Sequence, residues 1–139
     1  MSFIISHYNE LSKALESYIA VSGESAMMTV KALWDTGVSQ SCISPETVKA
    51  IEPIRRSKEK IVTAEKTTEI EMYAISVSFS DEITIRDISV EKRNLSDKNV
   101  DMLIGMDIIS RGDFEIRNYR GLTQFAFRVP PRNEPISVE

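Results

Sequence analysis

Hydrophobic and polar residues alternate along much of the chain, and this two-residue period is typical of β-strands with one buried face. Five segments have strand character, at residues 29–34, 59–64, 69–79, 82–90 and 114–129. Within 82–90 the phase of the apolar positions shifts between Ile85 and Ile88, which predicts a β-bulge near Asp87. Within 114–129, residues 118–121 predict the turn of a hairpin whose apolar residues between 125 and 129 share one side.

Helix signals are few and short. Ser44 is a favourable N-cap and Pro45 suits the first helical position, so a short helix is predicted from that point. Residues 106–112 predict a second short helix, which Gly112 would close at positive φ. Residues 9–21 fit both helical and strand spacing and stay open between the two. Together these patterns predict an all-β domain, a barrel-like closed sheet with one or two short helices.

Length, composition and charge narrow the class of protein. A chain of 139 residues is one domain by length, which we place at residues 1–129, followed by a proline-rich, flexible tail at 130–139. The net charge is −4, and acidic and basic residues are both scattered along the chain. This pattern provides no basic surface for nucleic acid or an anionic membrane. The apolar runs are far shorter than a membrane span, and the start of the chain lacks the apolar core of a signal peptide, so a cytoplasmic location is expected.

Few residues are available for nucleophilic or metal chemistry. The one cysteine, Cys42, excludes an internal disulfide and a cysteine metal cluster, and with no basic residue beside it we expect a small buried side chain. The one histidine, His7, stands close to the chain start, a poor place for a catalytic triad. The recurring Asp101, Asp107 and Asp113 fit turn and helix-end roles better than a metal site. Carboxylates therefore remain the candidates for acid–base chemistry, without a metal.

One carboxylate has an unusual setting. Asp35 follows an apolar run that ends in Trp34, and it is followed by Thr36 and Gly37. Glycine lets the backbone of such a loop approach other groups closely. For the tripeptide alone an ordinary turn remains an alternative, since Asp and Gly both favour turns. Gly105, within the apolar run 101–109, also marks a close approach of another backbone.

These two motifs together resemble the pattern of the retropepsin-like, retroviral-type aspartic proteases, in which one chain is half of a pepsin-like molecule. The resemblance rests on Asp-Thr-Gly at 35–37 and Leu-Ile-Gly at 103–105. The stretches ALWDTG, CISPE, LIGMDIISRGDFEI and TQFAFRVP extend it toward the bacterial and phage branch of the family, over residues 28–130. The resemblance implies the half-pepsin form of the closed barrel.

The resemblance also implies an activity. An aspartic endopeptidase of this type is a homodimer that hydrolyses a polypeptide substrate with one catalytic Asp35 from each chain, and it needs no cofactor. Thr36 and Gly37 would complete the catalytic loop, and residues 103–105 would support it from behind. Substrate contacts would come from the catalytic loop and from a hairpin, the flap, that closes over the peptide. The implied substrate-binding residues are Val38, Ser39, Thr63, Ala64, Glu65 and Lys66.

Two departures from the family pattern shape the expectations. Val38 replaces a smaller residue and has no hydroxyl to stabilise the ionised carboxylates, so a mildly acidic pH optimum is expected. The flap tip at 63–68 contains no glycine, which leaves a catalytically silent dimerisation or peptide-binding module as the alternative function. Residues 124–129 are either an edge strand that contacts a partner or part of the core, and both stay open.

Overall fold

The strands and helices follow the alternation of the sequence closely. A computed structural model describes residues 2–8 and 10–136. For residues 2–7 it describes the backbone only. Within those residues there are two short helices, α1 (Pro45–Ile51) and α2 (Met106–Ile109), and a 3-10 turn at Ser96–Lys98. The strands are β1 (Ser2–His7), β2 (Leu15–Ser22), β3 (Met27–Trp34), β4 (Cys42–Ile43), β5 (Ile54–Val62), β6 (Thr67–Ser78), β7 (Thr84–Lys92), β8 (Met102–Ile104), β9 (Asp113–Tyr119) and β10 (Leu122–Val129).

Six of the strands close into a barrel. The larger sheet has the order β2-β3-β8-β4-β7-β6-β5, and an additional antiparallel pairing of β2 with β6 joins the ring. β5 lies outside the ring and pairs with β6 in a long hairpin. The prediction of an all-β closed barrel with one or two short helices is thus confirmed, and the described residues contain two. In the described ranges, no helix has the length and apolar character needed to cross a membrane.

A three-stranded sheet of order β1-β10-β9 packs against the barrel through aromatic side chains. The buried indole of Trp34 is the centre of this contact, with ring centroids 5.1 Å from Phe127, 5.2 Å from Phe114, 5.5 Å from Phe79 and 5.7 Å from Phe125. Its Nε1 donates a hydrogen bond of 2.9 Å to Ser17 Oγ, so the polar atom of the ring is satisfied. The apolar run before Asp35 therefore ends in the core that joins the two sheets.

Several local predictions are confirmed. Opposite β6, the β7 register shifts between the pairs Ile75–Ile88 and Val77–Ile85, and Asp87 has a φ of 58°, as a bulge at that point requires. The side chain of Ser44 caps α1. The hairpin of β9 and β10 turns at residues 120–121. Of the open segment 9–21, residues 15–21 form a strand, as part of β2, and no helix is present in residues 10–14.

Residues 124–129 belong to the core. β10 has both edges paired, with β1 on one side and β9 on the other, and Phe125 and Phe127 are fully buried. An edge strand needs one free side, so of the two alternatives left open by the sequence, the core assignment holds.

The role predicted for Gly112 is wrong. Gly112 does not have a positive φ, whereas Gly121 has a φ of 77°. Its lack of a side chain is required by packing instead, since a Cβ there would lie 2.1 Å from the carbonyl oxygen of Arg128. The residue after α2 is therefore a contact point with β10 and not a left-handed helix end.

A buried arginine connects β10 to the segment that follows it. The guanidinium of Arg128 donates to Asp113 Oδ2 at 2.5 and 3.0 Å and to the carbonyl oxygen of Glu134 at 2.6 Å. Asp113 also accepts a 2.9 Å hydrogen bond from the backbone N–H of Arg132. The division of the chain into a domain at 1–129 and a flexible tail at 130–139 stays a prediction, and both His7, as a side chain, and residues 137–139 lie outside the described residues.

We expect Asp113→Asn to lower the melting temperature by several degrees at neutral pH, because Arg128 would then be a buried cation without its counter-charge. The pKa of Asp113 is lowered from its usual value of 3.8, first by the Arg132 N–H and then by the Arg128 guanidinium. A lowered pKa stabilises the fold above that usual value and ceases to do so as pH falls through the pKa of the folded state.

Thermal unfolding followed by circular dichroism at several pH values tests this expectation. The difference in melting temperature between wild type and Asp113→Asn should narrow as the pH falls below 3.8. Asp81→Asn, in an exposed loop, is the matched control and should leave the melting temperature unchanged. Equal melting temperatures for wild type and Asp113→Asn at neutral pH would contradict the role given to the ion pair.

Candidate active site

The loop at residues 35–39 fixes the position of Asp35. The backbone N–H of Asp35 donates to the carbonyl oxygen of Ile104 at 2.8 Å, which continues the parallel pairing of β3 with β8 by one residue. The Oδ1 atom accepts a 2.9 Å hydrogen bond from the N–H of Gly37. The N–H of Val38 donates to the Asp35 carbonyl oxygen at 3.2 Å. The carboxylate is thus held by its own loop and by the neighbouring strand.

Gly105 allows this loop to lie directly on the start of α2. A Cβ at Gly105 would be 2.6 Å from the carbonyl oxygen of Val38, closer than side chains approach a backbone atom. The same oxygen accepts a 2.7 Å hydrogen bond from the N–H of Met106. The close backbone approach predicted at Gly105 is therefore confirmed.

A layer of polar side chains beneath the loop was missed by the sequence analysis. Asp107 Oδ1 accepts from the hydroxyl of Ser41 at 2.7 Å and from its backbone N–H at 3.1 Å. The Ser41 hydroxyl oxygen in turn accepts from the N–H of Gly105 at 2.9 Å, and Gln40 Nε2 donates to Asp107 Oδ2 at 3.3 Å. This network ties the chain after the loop to the first turn of α2. The position of Asp107 near a helix start was the one available signal.

Asp35 is half-buried, whereas Thr36 and Gly37 are exposed in the single protomer. Among the described residues, Asp35 Oδ1 accepts a hydrogen bond from the N–H of Gly37, and Asp35 Oδ2 accepts none. A carboxylate oxygen in this state is free to bind water, a substrate or another acidic group. The exposed Thr36 and Gly37 beside it are also free for contacts outside the protomer.

Next to this loop is a cavity of about 420 Å³. It lies between the loop, the chain leading into β2, and the face of β9. Its lining residues are Ser12, Lys13, Ala14, Leu15, Leu33, Trp34, Asp35, Thr36, Phe114, Ile116, Asn118 and Thr123. The three-stranded sheet therefore comes up to the Asp35 loop and forms one wall of the space beside it.

A small buried apolar cluster lies against the loop, on the opposite face of the barrel sheet. Leu33 of β3 pairs with Leu103 of β8, which pairs with Cys42 of β4, so the three side chains share one face. Leu103 and Cys42 are buried, and Val38 of the loop packs on this cluster. Burial raises the pKa of the Cys42 thiol to about 11, so it stays protonated at neutral pH. The small buried role predicted for Cys42 is consistent with this position.

The β5–β6 hairpin has a tip closed by a side chain. Thr63 donates its N–H to the carbonyl oxygen of Lys66 at 2.8 Å, and its Oγ1 accepts from the Lys66 N–H at 3.1 Å. Ala64 and Glu65 lie between them, and all four residues are exposed. Among the described residues no hydrogen bond joins this tip to the Asp35 loop. Of the predicted site residues, the structure brings 35–39 together in one loop and places 63–66 on a separate element.

The hairpin base is anchored by charge. Glu71 of β6 accepts from Lys92 Nζ at 2.5 Å, from the hydroxyl of Tyr73 at 3.0 Å and from Arg55 at 3.5 Å. The hydrogen bond from Lys92 is the main cause of the lowered pKa of Glu71. These contacts hold the base against β7, while the tip extends into solvent.

The described residues hold no group of three metal-ligating side chains. Asp101 accepts a 3.1 Å hydrogen bond from the hydroxyl of Ser44, the N-cap of α1. Asp107 and Asp113 have the structural partners given above. Asp101 and Asp107 thus have the predicted helix-end contacts, whereas Asp113 begins β9 and contacts Arg128 of β10.

We expect Gly105→Ala to destabilise the fold by about 1–3 kcal/mol, because its methyl group would collide with the Val38 carbonyl and push the loop away from α2. Urea unfolding measures the effect. Ser39→Ala, in the same loop but exposed, is the control and should change stability little. Equal stability of Gly105→Ala and wild type would show that the loop can shift without cost.

Known proteins resemble this chain in sequence pattern and in fold. A family model described as "Aspartyl protease" matches residues 20–108, a span that contains both the Asp35 loop and Gly105. The crystal structure of a retropepsin-like aspartic protease from Rickettsia conorii has 17% sequence identity and a TM-score of 0.51, covering 91% of this chain and 95% of that chain. The EIAV protease complexed with the inhibitor HBY-793 has 17% identity and a TM-score of 0.49, covering 74% of this chain and 90% of that chain. No curated protein matches the chain.

Proposed function

Because the chain belongs to the aspartyl protease family and has the retropepsin-like fold, we propose that it is an aspartic endopeptidase, active as a homodimer with one Asp35 from each protomer. The observation that carries the proposal is the Asp35 loop itself. It holds a half-buried carboxylate with a free oxygen at the end of β3 and leaves Thr36 and Gly37 exposed. One protomer supplies one such carboxylate, and the chemistry needs two.

Two carboxyl groups brought together in this way share one proton, since two like charges in contact cannot both ionise freely. The ionised carboxylate accepts a proton from water, and the resulting hydroxyl oxygen attacks the carbonyl carbon of the scissile peptide bond. The protonated carboxyl donates its proton to the carbonyl oxygen. Collapse of the tetrahedral intermediate then breaks the C–N bond as the leaving nitrogen takes up a proton. Water and the two side chains supply every atom, without a metal or cofactor.

The neighbouring residues have positioning roles in this proposal. Gly37 donates to Asp35 Oδ1 and so orients the carboxylate. Thr36 would contact Thr36 of the second protomer beneath the two carboxylates. The Ser41–Asp107 network and Gly105 hold the loop from behind. Precise support of this kind matters because small displacements of reacting groups cost large factors in rate.

The substrate in this proposal is an extended polypeptide. Val38 and Ser39 stand at the end of the loop, where Val38 packs on the buried apolar cluster that contains Leu103. Both residues would contact peptide side chains. The β5–β6 hairpin would act as the flap, with residues 63–66 over the bound peptide. Its tip is held by the Thr63 side chain where a glycine would give a freer backbone, so the moving unit would be the whole hairpin on its charged base.

That same tip favours the alternative, a catalytically silent peptide-binding or dimerisation module. A hairpin without glycine at its tip opens and closes less easily over a substrate. The two functions differ in what Asp35 does, since binding or dimerisation does not require its carboxylate.

We expect Asp35→Asn to abolish peptide cleavage, with a loss of about 10³-fold or more in kcat/KM, while the fold and the dimer persist. Cleavage of a diverse peptide library at high protein concentration, from acidic to neutral pH, measures this. Asp97→Asn, an exposed aspartate in the 3-10 turn, is the matched control and should cleave like wild type. Cuts made equally by wild type and Asp35→Asn would exclude the proposal, and folded dimers that cut nothing would favour the alternative.

The pH dependence of kcat/KM should be bell-shaped with a mildly acidic optimum, because the reaction needs one carboxyl protonated and the other ionised. Val38→Thr adds a hydroxyl that can donate to the ionised carboxylate, so its optimum should move to lower pH. Val38→Ala, which adds no hydroxyl, is the control and should retain the wild-type optimum. A strongly acidic optimum for wild type, or no movement in Val38→Thr, would contradict the role given to residue 38.

A further inference from the structure

β5 is an outer strand of the larger sheet, and its edge is open. The sheet order ends at β5, so within residues 2–8 and 10–136 the side of β5 away from β6 has no strand partner. In the same residues, no hydrogen bond outside the β5–β6 pairing engages the backbone of β5. Every residue of β5 except Ser57 is exposed, so both faces of the strand are also in contact with solvent. An open edge of this kind is a template for a further strand.

The register of the β5–β6 hairpin determines which backbone groups reach this edge. Thr63 and Lys66 form a hydrogen-bonded pair at the turn, since the N–H of Thr63 donates to the carbonyl oxygen of Lys66 at 2.8 Å. Hydrogen-bonded and non-hydrogen-bonded pairs alternate along an antiparallel ladder. Starting from the turn, the residues of β5 in non-hydrogen-bonded pairs are therefore Val62, Lys60 and Lys58. Their N–H and C=O groups point away from β6, toward the open edge.

The open edge is basic. Residues 55–60 of β5 contain four cations and one anion. Lys58 and Lys60, two of the residues whose backbone faces the edge, are among these cations. Lys58 Nζ is 3.7 Å from Glu69, a loose contact, and Lys60 makes no ion pair within the part of the chain that the structure describes. Opposite charges on directly facing residues stabilise a pair of strands. The edge therefore favours an acidic strand.

A second copy of β5 does not meet this requirement. In a twofold antiparallel pairing centred on Glu59, each Lys58 would lie opposite a Lys60. An axis at Lys58 or at Lys60 would place that lysine opposite its own copy. All three central registers thus bring lysines together. The charges select an acidic segment of a different polypeptide as the occupant.

We propose that β5 binds an extended acidic segment of another polypeptide by antiparallel strand addition, with acidic side chains opposite Lys60 and Lys58. In this mode of recognition the main-chain hydrogen bonds supply affinity, and the side chains supply specificity. From its N-terminus, the segment has an apolar residue opposite Val62 and acidic residues two and four positions later. The residue between the two acids lies opposite Glu59 and is not acidic.

This inference goes beyond the proposed function, because strand addition requires no cleavage. The binding experiments therefore use the full chain with Asp35→Asn, in which the proposed catalytic carboxylate is absent and the bound peptide stays intact. The probe is an end-blocked peptide, Val-Thr-Glu-Thr-Glu-Thr, that has the predicted pattern and residues of high strand propensity. Heteronuclear NMR titration measures its dissociation constant and shows which backbone amides respond. The signals of residues 57–62 should shift, and those of the Asp35 loop should not.

Reversing the two lysines tests the charge pairing. Adding Lys58→Glu/Lys60→Glu should weaken binding of the acidic peptide by about tenfold to thirtyfold, because two attractive pairs become repulsive. The peptide Val-Thr-Lys-Thr-Lys-Thr should show the opposite preference and bind the reversed protein more tightly. Lys49→Glu/Lys98→Glu is the matched control, with the same change in net charge at exposed positions outside β5. It should bind the acidic peptide to within about threefold of the unreversed protein.

Methylation of the peptide backbone tests strand addition itself. The two glutamates of the peptide face the edge of β5 with their N–H groups, whereas the threonine between them directs its N–H away. N-methylation of both glutamates should therefore abolish the shifts at β5. N-methylation of that threonine removes no donor to β5 and should leave binding within about threefold of the unmodified peptide.

Several results would overturn the proposal. An acidic peptide that leaves the β5 signals unmoved, or that shifts another surface instead, would exclude this edge as its site. Equal binding of the two methylated peptides would show attraction between charges without a shared sheet. A reversed protein that keeps its β5–β6 signals but does not prefer the basic peptide would exclude the pairing with Lys58 and Lys60. None of these results depends on whether the chain cleaves peptides, so the proposed function is tested separately.

Discussion

The contact between the Asp35 loop and the backbone at Gly105 determines the geometry of the candidate site. The loop must lie close enough to α2 for the Val38 carbonyl oxygen to accept a hydrogen bond from the N–H of Met106. A side chain at residue 105 would occupy that space. The loop is held at its start by the pairing of Asp35 with Ile104, and after its end by Ser41 and Asp107. A short loop with fixed points on both sides has little freedom to move, so the carboxylate is presented in nearly one orientation.

Most of the strands could be predicted from the alternation of apolar and polar residues. Each strand buries one face, so its period of two is visible in a few consecutive residues. The closure of the barrel could not be, since the pairing of β2 with β6 depends on how sheets twist and pack over the whole domain. The same holds for the position of β10. Its apolar residues fitted both an edge and a core, and β1 at the other end of the chain settles the matter by pairing with it.

The candidate site was predictable where its residues are consecutive and only in part where they are distant. Asp35, Thr36 and Gly37 form a motif, and Gly105 is visible as a glycine within an apolar run. The hydrogen bonds of Ser41 to Asp107 join residues 66 positions apart, and nothing in either local sequence specifies the partner. At Gly112 a local pattern was misleading. A glycine directly after a helix is typical of a left-handed helix end, so its packing against β10 is not apparent from the sequence.

Two of the outer strands, β5 and β9, differ in charge, and this has a consequence for aggregation. β5, outside the barrel ring, carries Arg55, Arg56, Lys58 and Lys60 along an exposed strand, so two such edges repel one another when they meet in antiparallel fashion. β9 carries two anions, Asp113 and Glu115, and one cation, Arg117, along with an exposed isoleucine. In a crowded solution the first edge would therefore resist the growth of open-ended sheets. The second edge carries charges of both signs and lacks this uniform repulsion.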